Sequence, residues 1–159
     1  MPDLGQWNVI TVSGTEVGYE NATLGLSAQY DILGMNPTLT ASSPMHQPTV
    51  TGTWRGMWDG YVDGNRDDGT ARVDVTIQGS AVSATLTYSG IDGVPGLTSA
   101  TTAPASVTDG RFAPSVTLTV DGQSLTYSGQ GQFGGAEQRG VVGYMSGDGL
   151  RSVFYGTRN

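Results

Sequence analysis

The sequence is poor in residues on which several classes of protein depend. Its 159 residues contain no cysteine, no lysine and a single histidine. A chain without cysteine has no disulfide framework, no thiol nucleophile and no cysteine-ligated zinc. No run of 18 apolar residues is present, so we expect no transmembrane segment. The first residues do not read as a signal peptide, so we expect either a cytosolic protein or one whose signal lies outside this chain.

Charged residues are scarce and mostly acidic. They make up 13% of the chain, and the formal net charge is −7. An acidic surface repels phosphate backbones, which argues against nucleic-acid binding. The 25 glycines, together with abundant serine and threonine, are typical of short strands joined by tight turns. This composition therefore predicts an all-β protein rather than a helical bundle.

The chain divides near residue 50. Residues 36–48 hold three prolines and many small polar residues, a composition that predicts a loop or linker. Before it, loose alternation predicts strands over 7–12, 15–19 and 23–33. We therefore separate an N-terminal extension (1–49), handle-like or strand-adding, from a main domain (50–159).

Glycine and tryptophan alternate over residues 52–60, which places Trp54 and Trp58 on one face of a strand. Alternation of small and very large side chains is typical of a small barrel, whose interior must be filled around a tight curve. We therefore predict that both indoles point inward. The alternatives are a sandwich strand with glycine kinks, or outward indoles that form a partner surface.

Two hairpins can be registered from their turns. Gly79-Ser80 suits a type II′ turn that sets Val73 opposite Leu86, and Asp121-Gly122 suits a type I′ turn that sets Leu118 opposite Leu125. Further strands are expected over 139–145 and 151–155, with a long loop over 91–105. The predicted fold is an eight-stranded antiparallel up-and-down β-barrel with a short N-terminal β extension. The residues expected to fill it are Trp54, Trp58, Leu86, Tyr88, Leu118 and Tyr127.

No catalytic motif is present, and most aspartates lie beside glycine, which is typical of turns. Hydrolysis by two carboxylates, as in a glycosidase, stays open as an alternative. The segment from Asp63 to Asp74 has partial calcium-loop spacing, with Asp63, Asn65, Asp67 and Asp74 as candidate ligands. Because Asp68 occupies the position where such loops need glycine, a hairpin loop is the preferred interpretation, and we predict no metal site.

Four residues are candidates for ligand binding. His46 is the only histidine and lies in the proline-rich segment, where a general base would be poorly held. Tyr61 and Tyr144 can line a pocket, and Arg139 can reach an anionic partner. Pairing of Arg139 with a neighbouring acid is the simpler interpretation.

Several glycine-rich segments resemble the transferrin-binding-protein-B-like β-barrel family. They are Gly-Thr-Trp-Arg-Gly at 52–56, residues 133–143 with their Phe-x-Gly, Ala-Glu and Gly-x-Val elements, the turn at 146–149, and the final strand at 153–158. The resemblance covers about residues 50–158. Residues 133–135 depart from the family pattern, which has an aromatic residue before Ala-Glu, and residues 1–49 resemble nothing that we can name.

The resemblance implies an exported, surface-associated barrel of Gram-negative bacteria that binds a host protein or carries haem and is not an enzyme. We therefore predict a non-catalytic binding protein that recognises a protein partner through its loops and needs no cofactor. The alternative is a carrier of haem or another iron compound, with His46 or a tyrosine as axial ligand. A carboxylate-dependent glycosidase is the second alternative.

Overall fold

The computed structural model describes residues 6–30, 37–42 and 46–158, which form two antiparallel β-sheets. The small sheet has four strands that pair in chain order. They are β1 (Asn8–Val12), β2 (Thr15–Asn21), β3 (Leu26–Tyr30) and β4 (Pro37–Ala41). These four strands pair only with one another among the described residues.

The large sheet has ten strands: β5 (Gly52–Val62), β6 (Asn65–Gln78), β7 (Ala81–Ser89), β8 (Ser99–Thr101), β9 (Ala105–Ser106), β10 (Arg111–Phe112), β11 (Ser115–Val120), β12 (Gln123–Gly134), β13 (Gly140–Gly147) and β14 (Leu150–Thr157). Their order is β10-β12-β13-β14-β5-β6-β7-β8. Strand β11 also pairs with β12, and β9 also pairs with β7.

The two ends of the large sheet approach each other without forming a ladder. The amide of Ala103 donates a hydrogen bond to the carbonyl of Ser115 at 3.3 Å, while β8 and β11 are not paired strands. The all-β, antiparallel prediction is confirmed, and the described strands form an open path rather than a closed barrel.

Turn chemistry sets the register of the hairpins. Asp63-Gly64 and Asp121-Gly122 both have positive φ at their two central positions, as type I′ turns require. Strand pairing places Val73 opposite Leu86 and Leu118 opposite Leu125, as the sequence predicts. A two-residue turn fixes the register of its two strands. In this register the apolar partners fall on the same face of the sheet.

That inner face carries the main core. Trp54 is 0% exposed and Trp58 is 1% exposed. The ring of Trp58 stacks on Tyr88 at 4.8 Å, and Trp54 meets Phe133 edge-on at 5.1 Å. Of the other residues expected to fill the barrel, Leu86 and Tyr127 are also buried here, and Leu118 packs partly against the cluster.

The outer face of β13 and β14 carries a second core, under the small sheet. Along β13, Val141 points into the inner cluster, whereas Val142 points outward and packs beneath the small sheet. In β14, Phe154 faces inward and Val153 outward in the same way. Strands buried on both faces explain why residues 140–142 and 153–154 lack an apolar–polar alternation.

Three sequence predictions about loops and strands are wrong in part. The predicted linker contains β4, because Pro37 starts an edge strand, where its missing amide costs no ladder bond. The strand predicted over 23–33 begins only at Leu26, because the side chain of Asn21 accepts the amide of Leu24 and caps a turn. Residues 31–33 lie outside the described residues.

The predicted loop over 91–105 contains the short strand β8 and the first residue of β9. Both pair with β7, through contacts such as Tyr88 with Ala100 and Ala84 with Ala105, so long-range pairing overrides the local turn signals. Within the three described stretches, no helix has the length and apolarity that crossing a bilayer would take. The division near residue 50 falls between β4 and β5 and stays a prediction.

Candidate functional site

Four exposed aspartates lie at one end of the large sheet. Strands that alternate in direction bring the turns at 63–64, 121–122 and 148–149 and the loop at 90–98 to the same end. Each carries an exposed aspartate, and we call this end the acidic rim: Asp63, Asp92, Asp121 and Asp148. Three of these turns and part of the loop surround an opening of about 400 Å³.

The turns of the acidic rim are tied to one another. The amide of Asp63 donates to the carbonyl of Gly149 at 2.8 Å, which joins two hairpins. The carboxylate of Asp148 accepts the amide of Thr126 at 2.8 Å, which joins a third strand. Backbone held by such bonds presents its side chains in a fixed arrangement, as a binding surface requires.

Asp67 anchors the loop that completes the rim. Its side chain is buried and accepts amides from Asp68 at 2.9 Å, Asp92 at 3.0 Å and Gly93 at 2.9 Å. Three amide donors satisfy a buried carboxylate without a counter-ion. The candidate metal ligand Asp67 is therefore engaged in shaping the 90–98 loop.

The other candidate metal ligands occupy different positions of the hairpin that β5 and β6 form. Asp63 belongs to the hairpin turn, Asn65 begins β6, and Asp74 lies farther along β6, where it contacts Thr53 at 2.7 Å and Arg72 at 2.8 Å. Among the residues that the structure describes, no group of three or more histidines or acids could hold a metal ion.

A second polar cluster lies where the small sheet meets β5 and β6. Asp59 is 2% exposed, and its Oδ1 lies 2.9 Å from Arg66 Nη2, a contact with the distance but not the angle of a hydrogen bond. Glu16 of the small sheet pairs with the same guanidinium. Burial raises the pKa of Asp59 to about 6, against the opposing effect of Arg66 and with a further rise from Glu16.

Aromatic side chains surround this cluster. Trp7 stacks on Tyr155 with ring centroids 4.6 Å apart, and Tyr19 meets Tyr155 edge-on at 4.7 Å. Burial, and then the nearby charge of Asp59, raise the pKa of Tyr19. The groove between the sheets has a volume of about 180 Å³. Two of its three carboxylates, those of Asp59 and Glu16, converge on the guanidinium of Arg66, so this pair does not flank an open gap for sugar and water.

The four predicted ligand-binding residues do not form one site. Tyr61 and Tyr144 both pack beneath the small sheet, and Arg151 lies over the ring of Tyr61 at 5.2 Å. Half-buried His46 and Arg139 belong to the opposite rim, where Arg139 Nη2 pairs with Glu137 at 2.8 Å.

Gln47, the residue after His46, fixes this segment to the large sheet. The side chain of Gln47 donates to the carbonyl of Val107 at 2.6 Å and accepts the amide of Gly110 at 2.9 Å. Residues 46–49 therefore close the opposite rim and do not act as a free linker.

Sequence reasoning missed both the acidic rim as a unit and the cluster around Asp59. The rim could have been predicted, because alternate turns of an up-and-down sheet lie at the same end, and the Asp-Gly pairs at 63–64, 92–93, 121–122 and 148–149 all follow strands that run toward that end. The Asp59 cluster gave no local signal, because Glu16 comes from the other sheet and Arg66 from a neighbouring strand.

No protein-family model matches the chain, and no curated protein sequence does. Among solved structures, it is similar to isotype 1 transferrin binding protein B from serogroup B Neisseria meningitidis, with 17% identity and a TM-score of 0.61. That match covers 100% of this chain and 37% of the other, so the chain spans well under half of that structure's length. A mutant of the vaccine antigen transferrin binding protein B from Actinobacillus pleuropneumoniae H49 matches with 14% identity and a TM-score of 0.54.

The second match covers 96% of this chain and 80% of the other. Both matches extend over the small sheet as well as the large one, because each covers almost the whole chain. At these identities the likeness concerns the fold alone. The chain therefore has the fold of transferrin binding protein B structures.

Proposed function

We propose that this protein is a non-catalytic, exported binding module that recognises a basic protein surface through its acidic rim. The observation that carries the proposal is the collection of four exposed aspartates on interlinked turns at one end of the sheet. Fixed carboxylates of one sign attract and orient a partner of the opposite charge. The fold supports the proposal, since both similar structures are named for binding transferrin.

In this proposal the large sheet functions as a barrel. Strands β10 and β11 share one edge of β12, and β8 and β9 share one edge of β7, so the path has eight strand positions. The bond from Ala103 to Ser115 marks where its ends would meet. A filled barrel leaves recognition to the rims, because its interior is occupied by side chains such as Trp54 and Trp58.

We propose neither a cofactor nor catalysis. His46 lies at the opposite rim from the acidic turns, while Tyr61 and Tyr144 lie beneath the small sheet, so the predicted haem ligands do not face a common space. We therefore expect that a haem titration produces no Soret band of protein-bound haem. A new Soret band would instead favour the carrier alternative.

Binding measurements on charge-neutral variants test the proposal. The variant Asp63→Asn/Asp121→Asn/Asp148→Asn removes three rim charges. Asparagine suits the type I′ turns of Asp63 and Asp121, and at position 148 its side-chain oxygen can still accept the amide of Thr126. Transferrin is the first partner to try, by biolayer interferometry at low and high salt, followed by host serum passed over the immobilised protein. We expect the wild type to retain a basic protein at low salt and the triple variant to lose at least about tenfold in affinity.

Asp109→Asn is the matched control, because Asp109 is an exposed turn residue of the opposite rim with positive φ. It should leave retention unchanged. Equal retention by the wild type and the triple variant would contradict the proposal, as would the recovery of a small molecule and no protein.

A further inference from the structure

An apolar cavity lies inside the large sheet directly beneath the acidic rim. It shares Val62, Val94 and Tyr127 with the outer opening, so the two spaces adjoin at these residues. Its volume is about 40 Å³. Since one buried water needs roughly 10–15 Å³, the cavity holds about three or four water-sized groups.

Water is a poor occupant of this cavity. The floor is formed by Trp58, Tyr88 and Met145, all buried. The hydroxyl of Tyr88 is already bonded to Ser152 at 2.8 Å, and that of Thr102 accepts the amide of Leu86 at 3.0 Å. With these two hydroxyls engaged in a lining that is otherwise mostly apolar, the cavity offers water few partners, whereas an apolar group gains from entering it.

The entrance to the cavity is acidic, whereas the cavity itself is apolar. The outer opening is bordered by Asp63, Asp121 and Asp148, and none of the described residues that border it is basic. An occupant whose apolar part fills the cavity must therefore place its next atoms among three carboxylates. A positive charge at that position is favoured, and a negative one is repelled.

We propose that the cavity receives one apolar side chain, such as phenylalanine, leucine or methionine, from a basic segment of a protein partner whose neighbouring lysine or arginine residues contact the acidic rim. This inference rests on the proposed function, because it uses the same rim. The cavity admits a single ring or branched alkyl group and excludes a porphyrin or a long acyl chain. An apolar anchor in a pocket, surrounded by charge contacts, is the usual composition of a binding hot spot.

Three short peptides test the proposal with the full chain in ¹H–¹⁵N correlation spectra: acetylated and amidated Gly-Lys-Phe-Lys-Gly, the same peptide with alanine in place of phenylalanine, and the same peptide with glutamate in place of both lysines. We expect the first to shift amides of residues 91–97 and 116–127. The alanine peptide should bind at least about tenfold more weakly, because it leaves the cavity empty. The glutamate peptide should not bind.

Two variants separate the cavity from the rim. Ala100→Leu adds bulk at the smallest side chain that lines the cavity and should abolish the preference for phenylalanine over alanine. The variant Asp63→Asn/Asp121→Asn/Asp148→Asn should keep that preference but reduce affinity for the lysine peptides about fivefold. Because Asn suits these turns, this variant stays informative if Ala100→Leu does not fold.

Equal binding of the phenylalanine and alanine peptides would overturn the proposal, as would shifts confined to the opposite rim. Binding of free 2-phenylethylammonium without binding of the phenylalanine peptide would also overturn it, since that result would make the cavity a small-ligand site. These peptide results are independent of whether transferrin or a serum protein is retained, so the proposed function and this inference can fail separately.

Discussion

Asp59 shows how strongly a single buried carboxyl group responds to its surroundings. Burial raises its pKa from an ordinary value of 3.8 to about 6, despite the opposing charge of Arg66. Between these values the folded protein keeps a proton that the unfolded chain releases. The contribution of Asp59 to stability is therefore fully present below pH 3.8 and is lost as the pH rises to 6, a difference of up to about 3 kcal/mol.

We expect Asp59→Asn to raise the free energy of unfolding at pH 8 by about 1–2 kcal/mol, because it removes a buried charge. At pH 4 the effect should be much smaller, since the wild-type carboxyl group is then mostly neutral. Urea denaturation at both pH values measures the difference. Asp109→Asn, at an exposed turn, serves as the control. A change of the same size and sign at both pH values would contradict this account.

Side chains on the inner face were more predictable from the sequence than those between the sheets. Trp54 and Trp58 follow from a period of two with glycine, a pattern that lies within one strand. Asp59 lies on the outer face of the same strand and is buried where the small sheet, which carries Glu16, meets β5. A position whose environment comes from another sheet carries no local pattern, so its altered pKa could not be anticipated.

The hairpin of β11 and β12 depends on the left-handed backbone of its turn. Asp121 has φ of 50° and Gly122 has φ of 77°. Short polar side chains such as aspartate and asparagine tolerate this region, whereas alanine costs about 1 kcal/mol there. We therefore expect Asp121→Ala to lower the free energy of unfolding by about 1 kcal/mol and Asp121→Asn to leave it unchanged. Thermal denaturation of the two variants measures this contrast, and equal loss in both would show that the turn does not limit stability.

Strands that pair through short turns were predicted with their register, and strands that pair at a distance were not. The partners of β6 and β7 are fixed by Gly79-Ser80, two adjacent residues whose chemistry is visible in the sequence. Strands β4, β8 and β9 are short and depend on neighbours that already exist: β3 for the first, β7 for the others. Proline at the start of β4 and turn signals around 92–96 therefore predicted loops where tertiary pairing makes strands.

The described residues form two cores that share two strands. Val141 and Phe154 belong to the inner core, while Val142 and Val153, on the opposite faces of the same strands, belong to the core beneath the small sheet. A sheet that separates two cores can keep one of them when the other is disrupted. The inner core is the larger, and it contains Trp54 and Trp58, whereas Trp7 packs against the second core.

This arrangement predicts that the small sheet can be detached while the large sheet remains folded. Val17 is 0% exposed in the second core, so Val17→Asp buries a charge without a partner and should cost at least about 3 kcal/mol of docking free energy. Val9→Asp, in the same sheet at 46% exposure, should have little effect. Hydrogen exchange should then show lost amide protection over 8–30 and retained protection in β5–β7, with the near-ultraviolet circular dichroism of Trp54 and Trp58 preserved. Simultaneous loss of protection in both sheets would mean that the two cores unfold as one cooperative unit, because the shared strands cannot stay folded with one face exposed.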